Sequence, residues 1–139
     1  MYINIMKRGA KILLIDNDKK ILILRRSLTH PIWPHHLDFP GGIIEKGETP
    51  KQAIIREVLE ETKLKIDINQ LKLIFKKRRI TGFMLYAYEY HIDINQPKIE
   101  LSWEHDKYNW MSRKELIATK FPGKVDWVFG KVFSQAKKN

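Results

Sequence analysis

Short runs of aliphatic and aromatic residues, separated by polar clusters, Gly and Pro, occupy most of the chain. Runs of this length with turn residues at both ends are typical of β-strands. The four polar residues 16–19 lie between two aliphatic runs and predict a tight turn between two strands. On this basis we predict strands over residues 11–15, 20–26, 37–39, 71–79, 83–92, 98–102 and 109–111.

The spacing of apolar residues becomes helical after residue 49. Thr49, Pro50 and Gln52 form a capping box with Pro at the first helical position, which predicts a helix over residues 50–64. The face of this helix that should be buried carries Ile54, Ile55, Val58 and Leu59. We therefore expect a helix that packs one side against the sheet.

Two further helices are predicted in the last third of the chain. A second capping box lies at residues 112–115, and apolar residues recur at helical spacing over 125–132. Strands and helices alternate without a strict βαβ order. We expect an α/β domain with a mixed sheet and helices on both of its faces.

The composition narrows the class of protein. A chain of 139 residues with 43% hydrophobic content predicts a single domain over residues 1–139. It contains no Cys, which excludes a disulfide framework, a Cys-based zinc site and a thiol nucleophile. No apolar run approaches the roughly 20 residues that a membrane span needs, so we expect no membrane association and a cytoplasmic location.

The charge indicates an anionic partner. The chain has 26 Lys and Arg against 16 Asp and Glu, a formal net charge of +10. Such an excess favours phosphate-bearing molecules, either nucleotides or nucleic acid. A Lys-rich solvated surface would give the same total, so the charge alone does not choose between these interpretations.

Three acidic residues share one side of the first predicted helix. Glu57, Glu60 and Glu61 are spaced i, i+3 and i+4, within an arc of about 100° at the helical period. Carboxylate oxygens are the ligands that Mg²⁺ and Mn²⁺ prefer. The alternative is a solvated acidic stripe in which Arg56 and Glu60 form an ordinary surface pair.

The residues before these acids favour the metal interpretation. Gly42 is followed after five residues by Glu48, and after seven more by the hexapeptide Arg56 to Glu61, Arg-Glu-Val-Leu-Glu-Glu. This segment resembles the Nudix box, although Lys63 stands where that family usually has Gly. The resemblance implies a Nudix-type α/β/α sandwich with a central mixed sheet and a loop–helix–loop catalytic motif.

The resemblance also implies roles for residues of the site. Glu57 would act as the general base, Arg56 would orient it, and Glu48 would support the loop. Mg²⁺, for which Mn²⁺ can substitute, would be bound by Glu57, Glu60, Glu61, the backbone carbonyl of Gly41 and, from a later loop, Glu104. Outside the box, Arg25 and Arg26 end a strand and could grip a substrate phosphate, and Asp38 could reach the substrate. A strand end exposed to solvent is the alternative for the two arginines.

These expectations define a function. We expect a metal-dependent hydrolase of the diphosphate linkage in a nucleotide or nucleoside diphosphate derivative, specifically a nucleoside triphosphate pyrophosphohydrolase of the MutT-like type. One alternative is an RNA 5′-end pyrophosphohydrolase that uses the basic residues 76–79 as a track. Another is a basic nucleic-acid-binding module without catalysis on the same fold.

Overall fold

The computed structural model describes residues 7–93 and 98–119. Seven strands in these residues form one sheet. They are β1 (Arg8–Ile15), β2 (Ile21–Arg26), β3 (Leu37–Asp38), β4 (Gly41–Ile43), β5 (Lys72–Arg78), β6 (Met84–His91) and β7 (His105–Met111). The main path runs β3-β2-β1-β6-β5, with β4 also paired to β1 and β7 to β2. Since β1 and β6 are parallel and the other pairs antiparallel, the predicted mixed sheet is confirmed.

β1 and β2 separate soon after the turn that joins them. Their pairing is confined to Ile15 opposite Ile21, and β4 then takes the place of β2 beside β1, with Gly41 opposite Lys11. Pro40 accepts a hydrogen bond from the backbone N–H of Ile12 at 3.0 Å. The separation of the two strands opens a cleft in the sheet, and the segment around Gly41 lies in it.

Helices cover both faces of the sheet, as predicted. Helix α1 (Pro50–Thr62) and helix α2 (Arg113–Ala118) lie on opposite sides. Because side chains alternate along a strand, Ile12 and Leu14 of β1 pack in the cluster that includes α1, whereas Leu13 packs with Leu116 of α2. The alternating faces of β6 are buried in the same way.

Both capping boxes form. In α1 the Thr49 hydroxyl accepts from the Gln52 backbone N–H at 3.2 Å, and the Gln52 side chain accepts from the Thr49 N–H at 2.9 Å. The box at Ser112 and Glu115 has the same reciprocal bonds. These bonds satisfy N–H groups that a helix start leaves unpaired, which explains why both starts were predictable.

The buried face of α1 differs from the predicted one. Leu59 is 40% exposed, whereas Glu61 and Thr62 are buried beside Val58. Ile54, Val58 and Glu61 are spaced i, i+4 and i+7, so the helix face that buries the two apolar residues buries Glu61 as well. Leu59 falls outside this face, although its apolar character placed it there in the prediction.

The predicted strand over residues 98–102 is wrong. Glu100 donates its backbone N–H to the carbonyl of Thr62 at 3.0 Å, so this segment crosses the end of α1. Ile99 and Leu101 pack on the core from there, and strand pairing with β2 begins only at His105. Their apolar character serves this packing, which is why the segment resembled a strand.

The remaining sequence predictions need little revision. β4 was not predicted, β1 begins at Arg8 rather than at residue 11, and β7 begins at His105 rather than at residue 109. The helix predicted over residues 125–132 lies outside the described residues. Among the described residues, no helix has the length and apolarity that crossing a membrane requires.

Helix α1 ends two residues earlier than predicted because Lys63 is in the left-handed region, with φ 64° and ψ 11°. Its N–H still donates to the Leu59 carbonyl at 3.0 Å. The Thr62 hydroxyl donates to the Val58 carbonyl at 2.6 Å and accepts from the Leu64 N–H at 3.2 Å. These bonds turn the chain so that Leu64 is buried.

We expect Lys63→Gly to raise the free energy of unfolding by about 1 kcal/mol, because a left-handed backbone is costly for a residue with a Cβ and not for Gly. Chemical denaturation would measure the change. Lys65→Gly is the matched control: Lys65 is exposed and outside the left-handed region, so this change should not stabilise the protein. Equal effects of the two changes would contradict the argument.

Candidate functional site

A cavity of about 670 Å³ occupies the cleft beside β1. β1, β4, α1, the loop after β2, the β5–β6 turn and the start of β7 all contribute to its wall. The polar residues that matter most on this wall are Lys11, Arg26, Asp38, Gly41, Glu57, Glu104 and His105. Several residues predicted for the site therefore lie around one cavity.

Gly41 lies at the point where the chain comes nearest to β1. Its φ is +131°, and a Cβ atom there would overlap the carbonyl oxygen of Ala10. The Gly41 N–H donates to Glu61 Oε1 at 3.1 Å, and Lys11 Nζ donates to the Gly41 carbonyl at 3.4 Å. The peptide that carries the predicted metal-binding carbonyl is thus held on both sides.

Glu57 and Glu61 come together beside this glycine segment. A Cβ on Gly42 would lie only 2.7 Å from Glu57 Oε1, so the absence of a side chain at Gly42 leaves room for the carboxylate. Glu61 is 2% exposed, and burial raises its pKa well above the ordinary range. The positive charge of Lys11 opposes this rise, whereas the neighbouring Glu57 carboxyl adds to it.

The donor set around Glu61 fits a divalent cation. Glu61 Oε2 is buried and has no hydrogen-bond partner among the described residues. A hard cation would balance the two carboxylates and occupy that oxygen. No group of three Asp, Glu or His side chains in the described ranges forms a ready metal site. That is compatible with Mg²⁺, which is usually held by one or two carboxylates together with waters and substrate phosphates.

Arg56 ties the helix to the loop that precedes it. Its Nε and Nη2 donate to the two oxygens of Glu48 at 2.8 and 2.9 Å, and its Nη1 donates to Glu57 Oε1 at 2.9 Å. Its Nη2 also donates to the Ile43 carbonyl at 3.1 Å. The bonds to Glu48 raise the pKa of Arg56 and lower that of Glu48, so both stay charged. This geometry can fix the direction of the Glu57 carboxylate.

Two predicted metal ligands lie apart from the pair of Glu57 and Glu61. The Glu60 side chain is 56% exposed and lies 3.4 Å from Arg56 Nη1, so it resembles the surface pair considered above. Glu104 is on the cavity wall at the start of β7, with Oε2 3.8 Å from His30 Nε2. The structure therefore brings Glu57, Glu61 and Gly41 together and leaves Glu60 and Glu104 at the margin.

The two arginines that end β2 have different surroundings. Arg25 Nε donates to Asp106 Oδ1 at 2.8 Å, and Arg25 is not part of the cavity wall. Arg26 lines the cavity and donates from Nε and Nη2 to Asp38 Oδ2 at 3.2 and 2.9 Å. Strand alternation separates the pair, since consecutive side chains point to opposite faces.

Asp38 is buried between two cations. Lys11 Nζ and Arg26 Nη2 approach its Oδ2 at 3.1 and 2.9 Å. Burial by itself would raise the pKa of Asp38, but the charges of Lys11 and Arg26 hold it below the ordinary value. Asp38 thus stays ionised and fixes both cations at the cavity wall.

Sequence reasoning missed Lys11 and His105. Lys11 shares a strand face with the buried Leu13, and a lysine at a core-facing position was the available signal. His105 is buried at the start of β7, with Nδ1 3.6 Å from Glu61 Oε2. Burial lowers the pKa of His105 to about 4. A single histidine after Glu104 carried no sequence signal for this position.

Comparison with known proteins relates this arrangement to a family. The family model for the NUDIX domain matches residues 6–129. The 8-oxo-dGTP diphosphatase of Escherichia coli is 42% identical over 48 residues, which cover 34% of this chain and 37% of that protein. The CTP pyrophosphohydrolase of Escherichia coli is 24% identical over 107 residues, 75% of each chain. The chain thus matches about a third of the length of the first relative and three quarters of the second.

Solved structures share the fold. The MutT protein from Methanosarcina mazei Go1 superposes with a TM-score of 0.76 at 22% identity, covering 96% of both chains. The MutT NUDIX hydrolase from Burkholderia pseudomallei has a TM-score of 0.72 at 18% identity, covering 91% of this chain and 97% of that one. These likenesses confirm the predicted α/β architecture. Since the family model also extends over most of the sequence, the chain belongs to the NUDIX domain family.

Proposed function

We propose that this protein is a metal-dependent pyrophosphohydrolase that cleaves the diphosphate linkage of nucleotides, with nucleoside triphosphates as its substrates. The observation that carries the proposal is the pair formed by Glu57, on the cavity wall, and Glu61, which is buried beside it and has a carboxylate oxygen without a hydrogen-bond partner among the described residues. A volume of about 670 Å³ suits a nucleotide-sized ligand. Membership of the NUDIX family and the named activities of the relatives support the same reaction class.

Glu57, Glu61 and the Gly41 carbonyl would hold Mg²⁺ or, in its place, Mn²⁺. When bound, such a cation neutralises charge on phosphate oxygens and makes an attacking water more acidic. The Gly41 carbonyl oxygen has two lone pairs, so the hydrogen bond from Lys11 leaves one of them for the cation. Glu104 would complete the set from across the cavity, and Glu60 would join after leaving Arg56.

The side chains around this pair supply the rest of the reaction. Glu57 would accept the proton of the attacking water, which the hydrogen bond from Arg56 permits because it occupies only one carboxylate oxygen. Glu48 would keep Arg56 in place through its two hydrogen bonds. Arg26 and Lys11, both held by Asp38, would bind substrate phosphates as fixed cations. Arg25 takes no part here because it is paired with Asp106.

The proposed reaction requires a divalent cation. We expect hydrolysis of a nucleoside triphosphate to stop in excess EDTA and to return with added Mg²⁺ or Mn²⁺. The measurement is product formation across a panel of nucleotides, with and without chelator. Full turnover in EDTA would rule out the metal mechanism.

The role of Glu57 can be tested by Glu57→Gln, which keeps the shape but removes charge and basicity. We expect kcat to fall by about 10²–10⁴-fold, the usual contribution of a general base. The melting temperature without metal should stay close to that of the unmodified protein, because relief of repulsion with Glu61 offsets the weaker bond from Arg56. Stabilisation by Mg²⁺ should shrink, since the ion binds the folded state less tightly.

Glu115→Gln is the matched control, because Glu115 caps α2 and Gln also completes a capping box. It should leave both turnover and the Mg²⁺ response unchanged. If Glu57→Gln turns over a proven substrate as fast as this control, the proposed role of Glu57 is wrong.

A second candidate substrate is an RNA 5′ end. Arg79 lines the cavity, and Lys77 pairs with Leu85, another wall residue, so Lys77 shares the face that borders the cavity. Residues 68–88 contain no Asp or Glu. A strand of nucleic acid leaving the cavity along this hairpin would meet positive charge.

We expect Lys77→Gln to lower kcat/KM several-fold for a 5′-triphosphate oligonucleotide if RNA is the substrate, and to leave a free nucleoside triphosphate unaffected. Lys72→Gln is the control, because Lys72 lies at the far end of β5 beside Glu89. Equal responses of the two substrates would exclude the RNA track. Tight, strongly salt-dependent oligonucleotide binding with no hydrolysis would instead favour the non-catalytic module.

A further inference from the structure

His105 is a histidine that is buried beside the candidate site. Its side chain is 3% exposed, and neither Nδ1 nor Nε2 has a partner among the described residues. Leaving a buried polar group without a hydrogen bond is costly, so an unpartnered histidine in a core is uncommon. His105 also lies on the cavity wall, so packing of the core does not by itself explain a histidine at this position.

The atom that faces the His105 ring, Oε2 of Glu61, also lacks a hydrogen-bond partner in the described part of the chain. The Nδ1 of His105 lies 3.6 Å from this oxygen, slightly beyond a hydrogen bond. The other Glu61 oxygen accepts from the Gly41 N–H at 3.1 Å. The Glu61 carboxylate is therefore fixed at one oxygen by the backbone and faces an imidazole at the other.

We propose that His105 is a positioning residue that donates from Nδ1 to Glu61 Oε2 and so orients this carboxylate toward a divalent cation. The inference rests on the proposed function only in that Glu61 acts as a ligand. An imidazole always carries at least one N–H, and a carboxylate oxygen has two lone pairs. A hydrogen bond from His105 thus leaves one lone pair of Oε2 for the cation.

The position of His105 suits this role. β7 is anchored to β2 by the register that pairs His105 with Arg26, and Glu61 near the end of α1 is buried against the His105 ring. A small closing movement of either element brings the two atoms within hydrogen-bond distance. Groups that hold a metal ligand in this way typically change metal affinity by 10–100-fold when removed.

Three substitutions separate positioning from packing. The side-chain amide of Asn places a donor near the position of histidine Nδ1, the amide of Gln places one near Nε2, and Phe keeps a ring without any donor. We expect His105→Phe and His105→Gln to weaken Mn²⁺ binding by about 10–100-fold. His105→Asn should stay within about threefold of the unmodified protein. If His105 only packs, the loss of Mn²⁺ affinity should instead follow the change in side-chain shape, and Phe should be tolerated best.

The measurement is the Mn²⁺ dissociation constant of the substrate-free protein, determined by electron paramagnetic resonance, so no catalytic activity is needed. His91→Phe is the matched control, since His91 is exposed on β6 and should not affect the dissociation constant. Thermal unfolding without metal checks that each variant folds. If His105→Phe does not fold, the comparison of Asn with Gln decides the question alone.

Two results would overturn the inference: Mn²⁺ binding by His105→Phe equal to that of the unmodified protein, or equal losses in His105→Asn and His105→Gln. Glu61→Gln distinguishes this from failure of the proposed function. If Glu61→Gln weakens Mn²⁺ binding and His105→Phe does not, Glu61 remains a ligand and only the role of His105 is rejected. If neither variant changes it, the proposed metal site at Glu61 is wrong as well.

Discussion

At Gly41 the backbone passes so close to β1 that any side chain would overlap the carbonyl of Ala10. This close approach places the Gly41 N–H within reach of Glu61 and its carbonyl within reach of Lys11. It also sets Gly42 beside Glu57. The relative positions of β1, β4 and α1 at the cavity therefore depend on one residue without a side chain, and a larger residue there would displace the carboxylate pair.

Of three acidic side chains near this point, two are already paired with cations and the third is not. Asp38 is buried with two cations, and both oxygens of Glu48 accept hydrogen bonds from Arg56. Glu61 has one backbone hydrogen bond and a second carboxylate as its neighbour. Burying a charge is costly unless it is paired. Among these three acidic groups, Glu61 therefore has the largest cost of burial that no cation offsets. A cation entering the cavity would find its largest gain there.

The parts of the structure that were predictable are those decided by local chemistry. The capping boxes at Thr49 and Ser112 mark real helix starts because their bonds span only three residues. The apolar runs of β1 and β6 were likewise predictable as strands, and their side chains are buried on both faces of the sheet. The strand expected over residues 98–102 fails because its apolar residues pack across the end of α1, a contact that sequence spacing cannot reveal.

The candidate site also has parts that local sequence predicts and parts that depend on tertiary contacts. The spacing of Glu57 and Glu61 along one helix side was sufficient to bring their carboxylates together. The pair of Arg56 and Glu60, four residues apart on one helix, was also open to sequence reasoning. Spacing could not show that Arg25 pairs with Asp106, because that contact depends on which neighbours the fold supplies. Lys11 and His105 come from strands far from the box in sequence. Only the sheet register brings them to it.

The parallel pairing of β1 with β6 has a consequence for how the chain is made. Arg8 pairs with Met84 and Ile15 with His91, so the middle of the sheet joins segments distant in sequence. Such high contact order slows folding, because a long loop must close before the contacts form. On the ribosome, one edge of the aliphatic β1 stays open until most of the chain has been synthesised. A nascent chain that stalls before β6 would expose that edge, so aggregation should compete with folding mainly during synthesis.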